Sequence, residues 1–72
     1  MDLKRNFKET LGKNIRRIRS DRSLTVEQLA YQSGMSYSQV SRIELGKLNP
    51  TAFTLYILSI TLNVCPSEFF KG

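Results

Sequence analysis

Thr25 to Gly46, TVEQLAYQSGMSYSQVSRIELG, holds two short amphipathic helix patterns separated by a break at Ser33-Gly34-Met35. Thr25 is followed three residues later by Gln28, and Ser36 three residues later by Gln39. That is the spacing of a capping box, in which the hydroxyl takes an orphan amide of the first turn and the glutamine side chain takes the amide of the cap. Two helix starts therefore sit eleven residues apart. The break between them leaves room only for a tight turn, and Gly34 can adopt the positive φ that ends the first helix cheaply. Helices joined this tightly cross steeply, the layout of a helix-turn-helix whose second helix projects into a DNA major groove.

Working outward, Phe7, Leu11, Ile15 and Ile18 recur at helical spacing and predict a helix over 7–19, with Lys8, Lys13, Arg16 and Arg17 on other faces. Residues 20–23 break the pattern. A second helix over 26–32 buries Leu29 and Ala30, and a third over 37–45 buries Val40 and Ile43. Gly46 ends the third, and Asn49-Pro50 is a turn signal. Ala52 to Leu62 is rich in residues that also suit strands. Pro50-Thr51 and Asn63 bracket it as helix start and stop, and a lone strand would have no pairing partner, so a fourth helix over 52–62 is expected. A short fifth helix over 66–70 follows, with proline at its first position. The expectation is one all-α domain over 1–72, without repeats or linkers.

Seventy-two residues carry a net charge of +5, which points toward a polyanionic partner only if the charge is concentrated. It is: Lys4, Arg5, Lys8, Lys13, Arg16, Arg17, Arg19 and Arg22 precede Ser23, against Asp2, Glu9 and Asp21, while the rest of the chain is balanced. Cys65 is the single cysteine, so no internal disulfide can form and nothing suggests an oxidising compartment. It reads as a small, partly buried residue without a redox role. With no histidine and one cysteine there is no plausible zinc set and no imidazole acid or base, so neither metal, cofactor nor enzymatic activity is expected. The charged N-terminus lacks the apolar core of a signal peptide, and the stretch 52–62 is too short to span a bilayer. A cytoplasmic location is the expectation.

The chain resembles the Cro/CI-type helix-turn-helix regulators, the XRE family, from about Leu11 to Phe70. The resemblance rests on an ordered set: Leu11-Gly12, Ile18-Arg19, Leu24-Thr25, Gln28-Leu29-Ala30, Gly34-Met35-Ser36, Val40-Ser41-Arg42-Ile43-Glu44, Gly46-Lys47, Asn49-Pro50-Thr51 and Pro66-Ser67-Glu68-Phe69-Phe70. It implies a five-helix, lambda-repressor-like DNA-binding domain with the helix-turn-helix at its second and third helices. The implied function is that of a sequence-specific transcriptional regulator of a prokaryote or phage. It would bind double-stranded DNA as a homodimer on a two-fold symmetric operator, in the manner of minimal restriction-modification controller proteins or small phage repressors. The competing reading is a protein-interaction module, such as an antitoxin-like partner or a regulatory subunit, and retained DNA affinity with a salt-dependent slope separates the two. No small-molecule ligand is evident.

If Ser36 caps the third helix, Tyr37, Ser38, Ser41 and Arg42 share its solvent side, opposite Val40 and Ile43. Arg42 is the strongest base reader, because a guanidinium can donate twice to guanine O6 and N7. Ser38 and Ser41 offer hydroxyls to base edges or phosphates, and Tyr37 a ring to a thymine methyl or its hydroxyl to a phosphate. The resemblance implies phosphate contacts from Thr25, Gln39, Gly46, Lys47 and Asn49. It also exposes a departure: the family's glutamine at the first position of the second helix is Val26 here. Arg16, Arg17 and Arg22 supply either a compensating attraction for phosphate or a solvated face. Arg19 and Glu44 match a structural ion pair of the family.

The fourth helix carries more apolar residues than a monomer needs. Leu55, Leu58 and Leu62 supply an inward stripe, which leaves Phe53, Ile57 and Ile60 as a second row bordered by Tyr56. Phe69 and Phe70 cannot easily both face inward from so short a helix. Phe53, Tyr56, Ile57, Ile60, Phe69 and Phe70 are therefore the expected dimer interface.

Overall fold

In the computed structural model, which describes residues 2–72, every α-helix begins where a side-chain oxygen takes a free amide of the first turn. Asp2 caps α1 (Leu3–Asp21), Thr25 caps α2 (Val26–Ser33), Ser36 caps α3 (Tyr37–Glu44) and Thr51 caps α4 (Ala52–Leu62). A 3₁₀ turn, Pro66–Phe70, follows. Only Thr25 closes both halves of a capping box. At Ser36 the hydroxyl accepts from the Gln39 N–H at 3.1 Å, and the return bond from the Gln39 side chain is not made.

All four helices also stop in one way. Ser23, Gly34, Gly46 and Asn63 each take a left-handed conformation, with φ of 57°, 73°, 73° and 55°. The next amide then reaches back across the turn: Leu24 to the Arg19 carbonyl, Met35 to Ala30, Lys47 to Arg42 and Val64 to Ser59, at 2.9–3.2 Å. Glycine at 34 and asparagine at 63 suit that conformation. Ser23 adopts it against the roughly 1–2 kcal/mol that a Cβ costs there.

The elements depart from expectation in several places, α2 among them, which runs one residue further, to Ser33. Because Asp2 caps α1, that helix begins at Leu3 rather than Phe7 and runs on to Asp21. α3 ends at Glu44, one residue early. Among the described residues there are four α-helices, not five: Pro66–Phe70 is a 3₁₀ turn in which the Glu68 N–H donates to the Cys65 carbonyl at 2.9 Å. A proline start leaves so short a segment little room for an i→i+4 ladder. No helix among the described residues is long and apolar enough to cross a membrane.

The core gathers Leu11, Ile15 and Ile18 of α1, Leu29 and Ala30 of α2, Val40 and Ile43 of α3, Leu58 and Leu62 of α4, and Phe69. Phe69 is wholly buried, so it belongs to the core and not to the expected dimer surface. Phe70 faces the other way and stacks on Phe7, with ring centroids 5.9 Å apart, which ties it to the start of α1 rather than to α4. Asn14 holds the turn in place by donating to the Phe69 and Lys71 carbonyls at 2.9 and 2.7 Å. Cys65 is exposed, not partly buried. The Ser67 hydroxyl donates to its sulfur and lowers the thiol pKa.

α1 lies along α3 so closely that their backbones touch. A Cβ on Gly12 would stand 2.5 Å from the Ile43 carbonyl oxygen and 2.6 Å from that of Glu44. One turn earlier, the Glu9 backbone lies 3.2 Å from where a Cβ on Gly46 would stand. The end of α3 and the loop after it therefore pack against the first half of α1.

Candidate nucleic-acid interface

α3 buries Val40 and Ile43 and turns Tyr37, Ser38 and Arg42 into solvent, while Ser41 is half-buried. Tyr37 keeps 56% of its surface exposed. The first amides of α3 have no intrahelical acceptor, and Ser36 satisfies only that of Gln39, so the N-terminus of the helix favours anionic or acceptor groups. Arg42 stands in the last turn, where a cation is favoured by the helix dipole.

This helix is held at both ends. The left-handed Gly34 fixes its crossing with α2. On the other side, the Arg19 guanidinium grips the Glu44 carboxylate with two hydrogen bonds, Nε to Oε2 at 2.6 Å and Nη2 to Oε1 at 3.0 Å, and donates a third to the Leu24 carbonyl at 2.6 Å. The two side chains are only 12% and 6% exposed. The hydrogen bonds that Arg19 donates to Glu44 raise its pKa above the ordinary value against the opposing pull of burial, and Tyr37 lies near enough to add to the effect. The pair is thus a clamp between the end of α1, the end of α3 and the entry to α2.

The remaining candidates fall into different settings. Both polar groups of Thr25 serve the capping box: its amide donates to Gln28 Oε1 at 2.8 Å and its hydroxyl accepts from the Gln28 amide at 3.0 Å. That leaves the hydroxyl hydrogen for an outside acceptor. Val26 packs partly against the core. Gln39 is half-buried, Gly46 is pressed on Glu9, and Lys47 and Asn49 are exposed on the loop after α3.

The three arginines read alike in the sequence do not share one surface. Arg22, although exposed, is committed to the fold, donating to the Leu62 carbonyl and, at 3.5 Å, to that of Asn63, where it caps the C-terminal end of α4. Arg17 lies 3.9 Å from Asp21 and its charge acts on Glu68. Arg16 is exposed and makes no ion pair among the described residues. Two structural residues, Gly12 and Asn14, carry roles that periodicity alone does not assign. Their signal was present as a small and an uncharged polar residue amid the basic and apolar positions of α1.

On α4, Phe53, Tyr56 and Ile60 form one exposed stripe at i, i+3 and i+7, with Phe53 70% and Ile60 58% in solvent. Ile57 is only half-buried in that surface, since it also lines a cleft with Met35 and Gln39 beside the turn. The helix contains no charged residue at all.

A model of the helix-turn-helix family HTH_3 matches residues 15–70, which is most of the chain. The chain belongs to this family. The chain is 37% identical over 63 residues to an uncharacterized HTH-type transcriptional regulator, y4dJ, of Sinorhizobium fredii, covering 88% of this chain and 82% of that one. It is 38% identical over 58 residues to control protein C.SmaI of Serratia marcescens, covering 81% and 69%. Among solved structures, the restriction-modification controller protein C.AhdI from Aeromonas hydrophila superposes with a TM-score of 0.85 at 30% identity, covering 88% of this chain and 96% of the other. The chain is accordingly an HTH-type transcriptional regulator by family, and it shares its fold with controller proteins.

Proposed function

We propose that this protein is a sequence-specific double-stranded-DNA-binding transcriptional regulator that acts as a homodimer on a two-fold symmetric operator, as a restriction-modification controller or a phage-type repressor does. It works in the cytoplasm and by binding rather than by catalysis. The observation that carries this reading is the single solvent face of α3 bearing Tyr37, Ser38 and Arg42, on a helix whose position is fixed by the turn at Gly34 and the Arg19–Glu44 clamp. Arg42 reads a base, Tyr37, Ser38 and Ser41 support it, and Thr25, Gln39, Gly46, Lys47 and Asn49 meet the phosphates that set its register.

Selection of bound sequences from a random duplex library tests the reading directly, with an enriched two-fold symmetric site as the expected outcome. On that site, Arg42→Ala should lose about 1–3 kcal/mol while binding to random DNA changes much less. Lys47→Ala should weaken both duplexes alike and flatten the dependence of affinity on salt by about one unit. Equal losses on selected and random DNA for Arg42→Ala would remove it from the reading face.

The dimer forms through α4. Its stripe of Phe53, Tyr56 and Ile60, with Ile57 at the edge, is an uncharged apolar surface of a kind that monomers rarely leave in water. Pairing it about a two-fold axis sets the reading helices about 34–36 Å apart, one turn of DNA. Because Ile57 also supports the fold, the cleaner test is Ile60→Asp, whose side chain is mostly in solvent. Sedimentation should show a folded monomer at a concentration where the parent is dimeric. A folded, dimeric Ile60→Asp would move the interface off α4.

A further inference from the structure

The contacts between α1 and α3 single out one cation of the basic N-terminal region. Residues three and four apart share a helix face, and Arg16 is four residues after Gly12 and three before Arg19. Gly12 touches the carbonyls at the end of α3, and Arg19 grips Glu44. Arg16 therefore rises from the same side of α1 as the two residues that meet α3, midway between them. Core residues Leu11, Ile15 and Ile18 occupy the neighbouring flank, so Arg16 emerges on the outer, solvent side of the seam.

The charges around this seam reinforce the point. Glu44 is consumed by Arg19, and Glu9, further along the same side, by Arg5 at 3.1 Å. The cationic charge of Arg16 has no acidic partner among the described residues. Arg17, one residue on, points away: it lies by Asp21, and its charge reaches Glu68 of the 3₁₀ turn on the opposite side of α1.

We propose that Arg16 is a phosphate-binding residue, so that the DNA interface extends beyond the helix-turn-helix onto α1 and the backbone of one strand runs along the α1–α3 seam. The inference rests on the DNA-binding reading above. Of Arg16, Arg17 and Arg22, it assigns the phosphate contact to Arg16 and leaves Arg17 and Arg22 outside the interface. A phosphate contact adds affinity without sequence preference and makes it depend on salt.

The test measures binding of the full chain to a selected duplex and to a random duplex of equal length between 50 and 200 mM salt, for the parent, Arg16→Gln, Arg16→Lys and Arg17→Gln. Each phosphate contact contributes about 0.9 to the slope of log affinity on log salt, so Arg16→Gln should lose about 3.5-fold less affinity than the parent across that range. It should be weaker than the parent at 50 mM on both duplexes alike, with an unchanged melting temperature. Arg16→Lys should keep most of the slope, and Arg17→Gln all of it. The inference is overturned if the parent binds DNA and Arg16→Gln keeps the parental slope, or if Arg17→Gln flattens it equally. A parent that binds neither duplex overturns the DNA-binding reading itself, which is a different result.

Discussion

Glu44→Ala should lower the unfolding free energy by about 3–5 kcal/mol, because it strands the Arg19 guanidinium in a site that is nearly closed to water. A domain of this size has about 4–11 kcal/mol in total, at roughly 0.05–0.15 kcal/mol per residue. The variant therefore sits at the edge of folding, and its Tm should fall by about 12 °C or more. The cost comes from leaving one charge unpaired, not from the net worth of the pair. Arg19→Met combined with Glu44→Leu should accordingly be less damaging than Glu44→Ala alone. Thermal melts of the three proteins check this. A single variant that melts with the parent would mean that the 2.6 and 3.0 Å bonds do not hold the ends of α1 and α3 together.

Gly12→Ala acts on the same seam by a different mechanism. The added methyl would stand 2.5 and 2.6 Å from two carbonyl oxygens that belong to the α3 backbone, so no side chain can swing aside and the helices must separate. Overpacking of this kind reaches about 3 kcal/mol. Alanine returns about 1 kcal/mol through its better helix propensity, leaving a net loss of about 2 kcal/mol. Since α3 moves, the variant should also lose affinity for the selected duplex even where it remains folded. Chemical denaturation gives the first quantity and a binding titration the second. A Gly12→Ala protein as stable as the parent would show that the seam can open without cost.

Both predictions depend on tertiary contacts at residues the sequence had already marked. Arg19, Glu44 and Gly12 stood out through the family resemblance, yet only the close approach of the end of α3 to α1 explains why a glycine is needed at one of them and a fully paired charge at the others. Arg22 shows the reverse. In sequence it is one more cation in a basic run, while in the fold its guanidinium caps α4. Phe69 and Phe70 are adjacent in sequence but occupy different settings, one in the core and the other stacked on Phe7.

Local interactions wrote most of the fold into the sequence. Caps at Thr25, Ser36 and Thr51 and the left-handed stops at Gly34, Gly46 and Asn63 involve residues within a few positions of one another, so their hydrogen bonds can be read from spacing. The buried stripes are legible for the same reason, because the helical period alone decides which positions share a face. Those features determine the helix-turn-helix and the residues on the outer side of α3. What the tertiary structure decided is which charges are spent inside the fold and which remain for a partner. Arg16, Arg17, Arg19 and Arg22 lie within one segment and have the same chemistry. Their settings differ because Arg19 and Arg22 meet a distant carboxylate and a distant helix end while Arg16 is left in solvent, and no local pattern encodes contacts between residues twenty-five or forty positions apart.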